Sequence, residues 1–207
     1  MSKPEASARM SEQPPTDPHA TLARAAALGD LAAARKLLDA LAPSLVRVVR
    51  AVMGAAHPDA DDAVQESLIA LVRALPAFRG DCPAAGYAMR IAVRTAVAAR
   101  QRTRTRGAPL VELDAATSAA DPAPSPVEAT ASARRQELLR LLLDELPEAQ
   151  SETMALRVVL GCSLEEVAAA TGAPVNTVRS RMRLAREALR RRIESDPSLF
   201  AALELSA

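Results

Sequence analysis

Apolar residues recur at steps of three and four along most of this chain, and polar residues fill the positions between them. That period is the mark of amphipathic helices. A first helix is expected from Thr21 to about Leu28, stopped at Gly29. Asp30 can cap a second, from Leu31 to about Met53, with Leu31, Ala34, Leu38, Leu41 and Leu45 near one face and a kink or break at Pro43. His57-Pro58 closes that segment, and Asp59 opens a third helix from about Ala60 to Leu75. Two of its stripes are apolar, Ala63-Ala70-Leu71-Ala74 and Val64-Leu68-Leu75, so this helix is expected to be well buried. A loop from Pro76 to Gly86 leads to a helix that begins at Tyr87 and runs into Arg100, Arg102, Arg104 and Arg106.

The periodicity then stops. Residues 107–133 contain Pro109, Pro122, Pro124 and Pro126 and read as a semi-extended linker. Helical spacing resumes at Arg134, giving a Leu-rich helix to Leu146 and a second from Pro147 to about Leu160. Ser163 and Glu166 have the spacing of a capping box, Gly172 marks a turn, and Pro174 opens a long last helix. Its apolar stripe is Val175, Val178, Met182, Ala185, Leu189 and Ile193. The pattern predicts an all-α protein of two small helical domains, 21–106 and 134–194, joined by the linker 107–133 and flanked by tails at 1–20 and 195–207.

Composition narrows this picture. Ala, Leu and Val carry the burial, because only Tyr87, Phe78 and Phe200 are aromatic. Nucleic-acid binding by rows of stacking rings is thereby excluded. Cys82 and Cys162 lie far apart with no metal-ligand spacing to His19 or His57, so neither a metal nor another cofactor is expected. Residues 1–18 lack the apolar core of a signal peptide and no run is long enough to span a membrane, which predicts a cytoplasmic protein with no membrane insertion. No Ser/His/Asp order or phosphate-cradling Gly loop supports an enzyme, and no catalytic residue is assigned.

Charge changes the picture most. The chain carries a net charge of +1, yet Arg179, Arg181, Arg183, Arg186, Arg190, Arg191 and Arg192 meet only Glu187 within Val175–Ile193. A capped helix, a Gly turn and a basic second helix together describe a helix-turn-helix, whose second helix enters the DNA major groove. Asn pairs with adenine, Arg with guanine and Ser with either. The residues early enough to reach base edges are Asn176, Thr177, Arg179, Ser180 and Arg183, with Arg186 following on the same side. The other charged element is Asp59-Ala60-Asp61-Asp62-Ala63-Val64-Gln65-Glu66, whose carboxylates suit a helix N-terminus.

Taken together, these motifs resemble those of the sigma-70 family in its extracytoplasmic-function (ECF) group. Leu28–Val49 is similar to the opening helices of its region 2, and Asp59–Glu66 to that region's most distinctive motif. The stretch from Glu145 to Arg191 resembles region 4, and the order of region 2, linker and region 4 fits as well. The resemblance implies a subunit that binds bacterial RNA polymerase core and directs it to promoters by recognising −10 and −35 elements. It further implies that Asp59, Asp62, Gln65 and Glu66 meet the clamp helices of the β′ subunit, through charge-assisted hydrogen bonds. The final helix would read the −35 element as duplex, and the loop with the helix after it would face the −10 element. The chain departs from the family pattern at Tyr87, usually Trp, at Arg94, usually Asn, and at Ala98, usually Asp. The −10 contact is therefore expected from a loop pocket with Phe78 and Tyr87, and with Arg79, Arg90 and Arg94 on phosphates.

Two promoter elements about two duplex turns apart are separated by roughly 70 Å. A flexible linker of this length spans about 30 Å and an extended one about 90 Å. The linker is thus expected to stretch in the complex, and the two domains to fold against each other in the free protein. An anti-sigma factor is an open candidate as a further partner. Two other functions compete: a one-component DNA-binding regulator, disfavoured by the Asp59–Glu66 motif, and a helical adaptor that binds polymerase alone, disfavoured by the arginine-rich helix.

Overall fold

The computed structural model describes residues 17–54, 57–106 and 139–196. Among them every regular element is helical: α1 (Ala20–Ala27), α2 (Leu31–Met53), α3 (Ala60–Ala74) with a 3₁₀ turn (Leu75–Ala77), α4 (Ala84–Thr105), α5 (139–144), α6 (Glu148–Val158), α7 (Leu164–Thr171) and α8 (Val175–Ser195). The linker and most of both tails lie outside the described residues.

Local chemistry sets most of the ends. The Asp30 carboxylate accepts the Ala33 N–H at 3.0 Å and starts α2. Ser163 and Glu166 close their capping box reciprocally, at 3.1 and 2.7 Å, and start α7. Gly172 ends α7 in the left-handed region (φ 66°), a conformation that costs a residue with a Cβ.

Four sequence expectations are corrected. First, α2 runs unbroken through Pro43. Pro43 is on the outer side while Leu41 and Leu45 are buried, so packing holds the helix together, and the carbonyl freed at exposed Asp39 can take water. Second, the buried face of α2 is Ala33, Leu37, Leu41, Leu45, Val48, Val49 and Val52, which leaves Leu31 outside the core at 83% exposure. Third, α3 is less buried than expected: Ala60, Ala63, Ser67 and Leu71 are buried and Val64 and Leu68 pack partly buried against the core with Leu75, but Ile69 and Val72 are exposed. Fourth, α4 begins three residues before Tyr87, because Pro83 sets an extended backbone before the first turn and Asp17 caps that turn from outside the helix. Asp17 also trims the expected tail, since 17–20 are part of the folded structure.

Helix α4 is the spine. Its inner face is Ala88, Ala92, Val93, Ala96 and Val97, all essentially fully buried, and the small side chains let α2 and α3 approach closely. The same helix also packs on α6, so the interior continues through Leu143, Leu146, Ala155 and Leu156 into Val167, Val178, Met182 and Ala185. The two blocks flanking the linker therefore fold against each other. Polar bonds reinforce the contact: Gln101 Nε2 donates to the Leu146 carbonyl at 3.1 Å, and Arg104 donates to the Asp144 carbonyl.

Candidate nucleic-acid interface

The α7–turn–α8 unit is built from its apolar stripe. Val178, Met182 and Ala185 are buried, with Leu189 packed against the same core. Fixing that face inward leaves Asn176, Thr177, Arg179, Ser180, Arg183 and Arg186 exposed together. Arg179 Nη1 donates to Asn176 Oδ1 at 3.1 Å, and Arg186 makes no ion pair among the described residues.

The later arginines are already neutralised. Glu187 takes Arg183 at 3.3 Å and Arg191 at 3.7 Å, Glu194 takes Arg190 at 2.7 Å, and Arg192 reaches Asp196 at 3.0 Å and Glu145 at 3.5 Å. Free positive charge on α8 is thus concentrated near its first half, where a recognition helix meets base edges.

The residues expected at the −10 side divide into two groups. Phe78 and Tyr87 pack together, with ring centroids 5.1 Å apart and planes tilted by 54°. Tyr87 Oη donates to the Ala74 carbonyl at 3.1 Å, so this ring also ties α4 back to the end of α3. Arg90 lies at the same junction, with Nη2 2.5 Å from Cys82 Sγ, while Arg79 is exposed in the loop. Arg94 points elsewhere: its Nε donates to Glu152 Oε1 at 3.2 Å and its Nη2 to the Ala170 carbonyl at 2.6 Å, at the C-terminal end of α7.

On α3 the four acidic and amide candidates also separate. Asp59 is half-buried and accepts the Thr103 hydroxyl at 2.5 Å, while its backbone N–H donates to His57 Nδ1 at 3.2 Å. Glu66 pairs with Arg102 at 2.5 Å, both half-exposed. Asp62 and Gln65 are exposed and unpartnered among the described residues. Burial, with Arg100 second, holds His57 below its ordinary range, against the opposing pull of Asp59 and Asp144. Burial, with Glu166 second, pushes the Cys162 thiol up.

The sequence reading missed Arg100, which it grouped with Arg102, Arg104 and Arg106 as one basic run. In the structure Arg100 is buried and bonded on every side: its Nη1 donates to the Val52 and Met53 carbonyls at 3.1 and 2.7 Å, its Nη2 to the Arg140 carbonyl at 3.2 Å, and its Nε to Asp144 Oδ1 at 2.8 Å. Spacing held the signal, because Ala92, Ala96, Arg100 and Thr103 continue the buried stripe of α4. Among the described residues, no three His, Cys, Asp or Glu side chains gather to hold a metal, and no helix is long and apolar enough to cross a membrane.

Two family descriptions match: Sigma-70 region 2 over residues 37–106, and Sigma-70, region 4 over residues 136–189. The chain is similar to the ECF RNA polymerase sigma factor SigD of Mycobacterium tuberculosis (strain ATCC 25618 / H37Rv), 38% identical over 160 residues, covering 74% of each chain. It is also similar to the ECF RNA polymerase sigma-E factor of Escherichia coli (strain K12), 34% identical over 142 residues, covering 66% of this chain and 74% of that one. Among solved structures, that of CnrH in complex with the cytosolic domain of CnrY shares the fold, with a TM-score of 0.54 and 24% identity, covering 86% of this chain and 98% of that one.

Proposed function

The chain belongs to the ECF group of the sigma-70 family of RNA polymerase sigma factors, and on that premise we propose how it divides its work along its length. It binds RNA polymerase core and directs it to promoters for transcription initiation. In our reading, residues 21–106 and 134–194 are its two working domains, and 107–133 joins them. It works in the cytoplasm, without catalytic activity of its own.

The observation that carries this reading is the polar face of α8. Asn176, Thr177, Arg179, Ser180, Arg183 and Arg186 stand exposed together on a helix whose other side is locked into the core. That face reads the −35 duplex in the major groove. The exposed side of α3, led by Asp62 and Gln65 and flanked by Asp59 and Glu66, meets basic residues of the β′ clamp helices. The segment from Phe78 to Tyr87, with Arg79, Arg90 and Arg94, faces the −10 element. An anti-sigma factor is a candidate third partner.

The test is transcription in vitro with purified core polymerase and DNA from upstream of the chain's own gene. Expected is initiation that requires the chain. Absence both of core binding and of initiation would overturn the reading.

A further inference from the structure

Helix α4 starts without a cap of its own. Its N-cap residue, Pro83, has no side chain able to accept a hydrogen bond, and the N–H groups of the first turn need acceptors. The acceptor comes from a residue 67 positions earlier: Asp17 Oδ2 takes the Ala84 N–H at 2.8 Å. The other oxygen, Oδ1, takes the His19 N–H at 3.0 Å, and the Asp17 carbonyl takes the Ala20 N–H at 3.1 Å. One carboxylate thus joins the entry to α1 to the entry to α4, at the positive end of the longer helix's dipole.

The platform behind Asp17 is firm. Ala23 and Ala26 of α1 are buried, and α1 packs on both α2 and the 3₁₀ turn that leads into the loop 78–83. At Gly80 (φ +81°) the loop passes the Arg24 guanidinium of α1, where an added Cβ would stand 3.8 Å from Nε. The loop thus passes beside α1 at Gly80 and is tied down by Asp17 at Ala84. Phe78 and Tyr87, at its two ends, pack on each other.

From this geometry we infer that Asp17 is a positioning residue for −10 recognition, holding the loop between Phe78 and Ala84 in the shape that receives a promoter strand. The inference rests on the proposed assignment of that loop to the −10 element. A loop anchored before binding loses less conformational freedom on binding, so its affinity for a strand is higher than that of a loop that must order first.

The test uses holoenzyme assembled from core polymerase and the full chain, on a promoter selected from random DNA by the wild-type holoenzyme. Three properties are measured: affinity for the single-stranded −10 segment, affinity for the −35 duplex, and amide exchange at Ala84–Tyr87. Asp17→Ala is expected to lower −10 strand affinity about 5-fold and to speed exchange at Ala84 about 10-fold, leaving −35 duplex affinity unchanged. Asp17→Asn keeps one acceptor oxygen but sets its amide nitrogen against the other N–H, so its loss should fall between wild type and Asp17→Ala. Asp30→Ala removes the cap of α2 and serves as the control for general destabilisation.

The inference is overturned if Asp17→Ala exchanges and binds like wild type, or if it lowers −10 and −35 affinity equally, as a general loss of stability would. A wild-type holoenzyme that initiates but fails to recognise the −10 strand through this loop, seen as no protection of residues 78–87 on binding, would overturn the loop assignment itself. The exchange result at Ala84 in the unbound chain separates the two failures.

Discussion

Arg100 and Asp144 form a two-point ion pair between α4 and α5, with side chains 6% and 13% exposed. The guanidinium also closes the C-terminal end of α2 through the Val52 and Met53 carbonyls, so one side chain ties three helices and both halves of the chain. Removing one partner of a buried pair leaves the other charge uncompensated. Asp144→Ala is expected to cost about 3 kcal/mol, read as a shift of the urea midpoint with an unchanged slope. The double change Arg100→Met with Asp144→Leu should recover only part of that loss, because apolar packing replaces the ion pair but takes the Arg100 donors away from the Val52, Met53 and Arg140 carbonyls.

His57 sits beside this pair and confers a pH dependence. Its folded pKa lies below the ordinary 6.5, because burial and then Arg100 disfavour the imidazolium. The unfolded chain therefore binds the proton first. The neutral imidazole's stabilising contribution is complete above about pH 6.5 and is lost as pH falls below it, toward the folded pKa. Thermal midpoints measured from about pH 7.5 down to about pH 5.5 should decline more steeply for wild type than for His57→Asn. Asn keeps an oxygen to accept the Asp59 N–H and does not titrate. Parallel slopes would remove His57 as the cause.

On α8 the arginines should fall into two classes. Arg186 makes no ion pair among the described residues and Arg179 contacts only Asn176, whereas Arg190, Arg191 and Arg192 are spoken for by Glu194, Glu187, Asp196 and Glu145. Asn176→Ala or Arg179→Ala is expected to weaken binding to the preferred −35 duplex about 10-fold and to relax preference at one base pair. Arg186→Ala should weaken all sequences alike and lower the salt slope by about 1. Arg190→Ala should change affinity less than Arg186→Ala, and the reverse order in filter-binding titrations across salt would contradict this division.

The helix order, the capping box and the exposed polar face of α8 are legible in the sequence, because each rests on spacing within one helix or turn. Ser163 with Glu166 and the stripe from Val178 to Ala185 are of this kind. What could not be read depends on partners distant in the chain. Arg100 looks like its neighbours Arg102 and Arg104 until Asp144 is brought beside it across 44 positions. Asp17 falls in a polar tail until Ala84 arrives, and Pro43 looks like a breaker until Leu41 and Leu45 are seen locked in the core on either side of it. At the −10 side, Arg94 is expected on a phosphate, while its attachment to Glu152 and to the end of α7 has no local signature.

For polymerase binding, the four residues of α3 should not weigh equally. Asp62 and Gln65 project into solvent, whereas Asp59 is bonded to Thr103 and Glu66 to Arg102. Asp62→Lys or Gln65→Ala is expected to reduce core binding about 10-fold while leaving the thermal midpoint within a few degrees of wild type. Asp59→Ala should lower that midpoint as well, since it removes the bond that ties Thr103 of α4 to the start of α3 and leaves Thr103 only the Ala99 carbonyl of its own helix. Competition against a labelled wild-type chain for core measures the first effect, and circular dichroism the second.

Arg94 supplies the sharpest test of the −10 assignment, because it cannot hold a phosphate and the Glu152–Ala170 site at once. Arg94 is 58% exposed there and Glu152 17% exposed, so moving Arg94 to a phosphate gives up the ion pair and the Ala170 bond, offset by the charge-assisted contact it gains. Arg90→Ala with Arg94→Ala should lower the rate of open-complex formation about 10-fold while closed-complex affinity stays within about 2-fold of wild type. Glu152→Ala, which frees Arg94 without removing it, should leave opening at least as fast as wild type. Permanganate footprinting of the −10 region against gel-shift affinity resolves the two steps, and an equal loss in both for the double variant would remove Arg90 and Arg94 from strand capture.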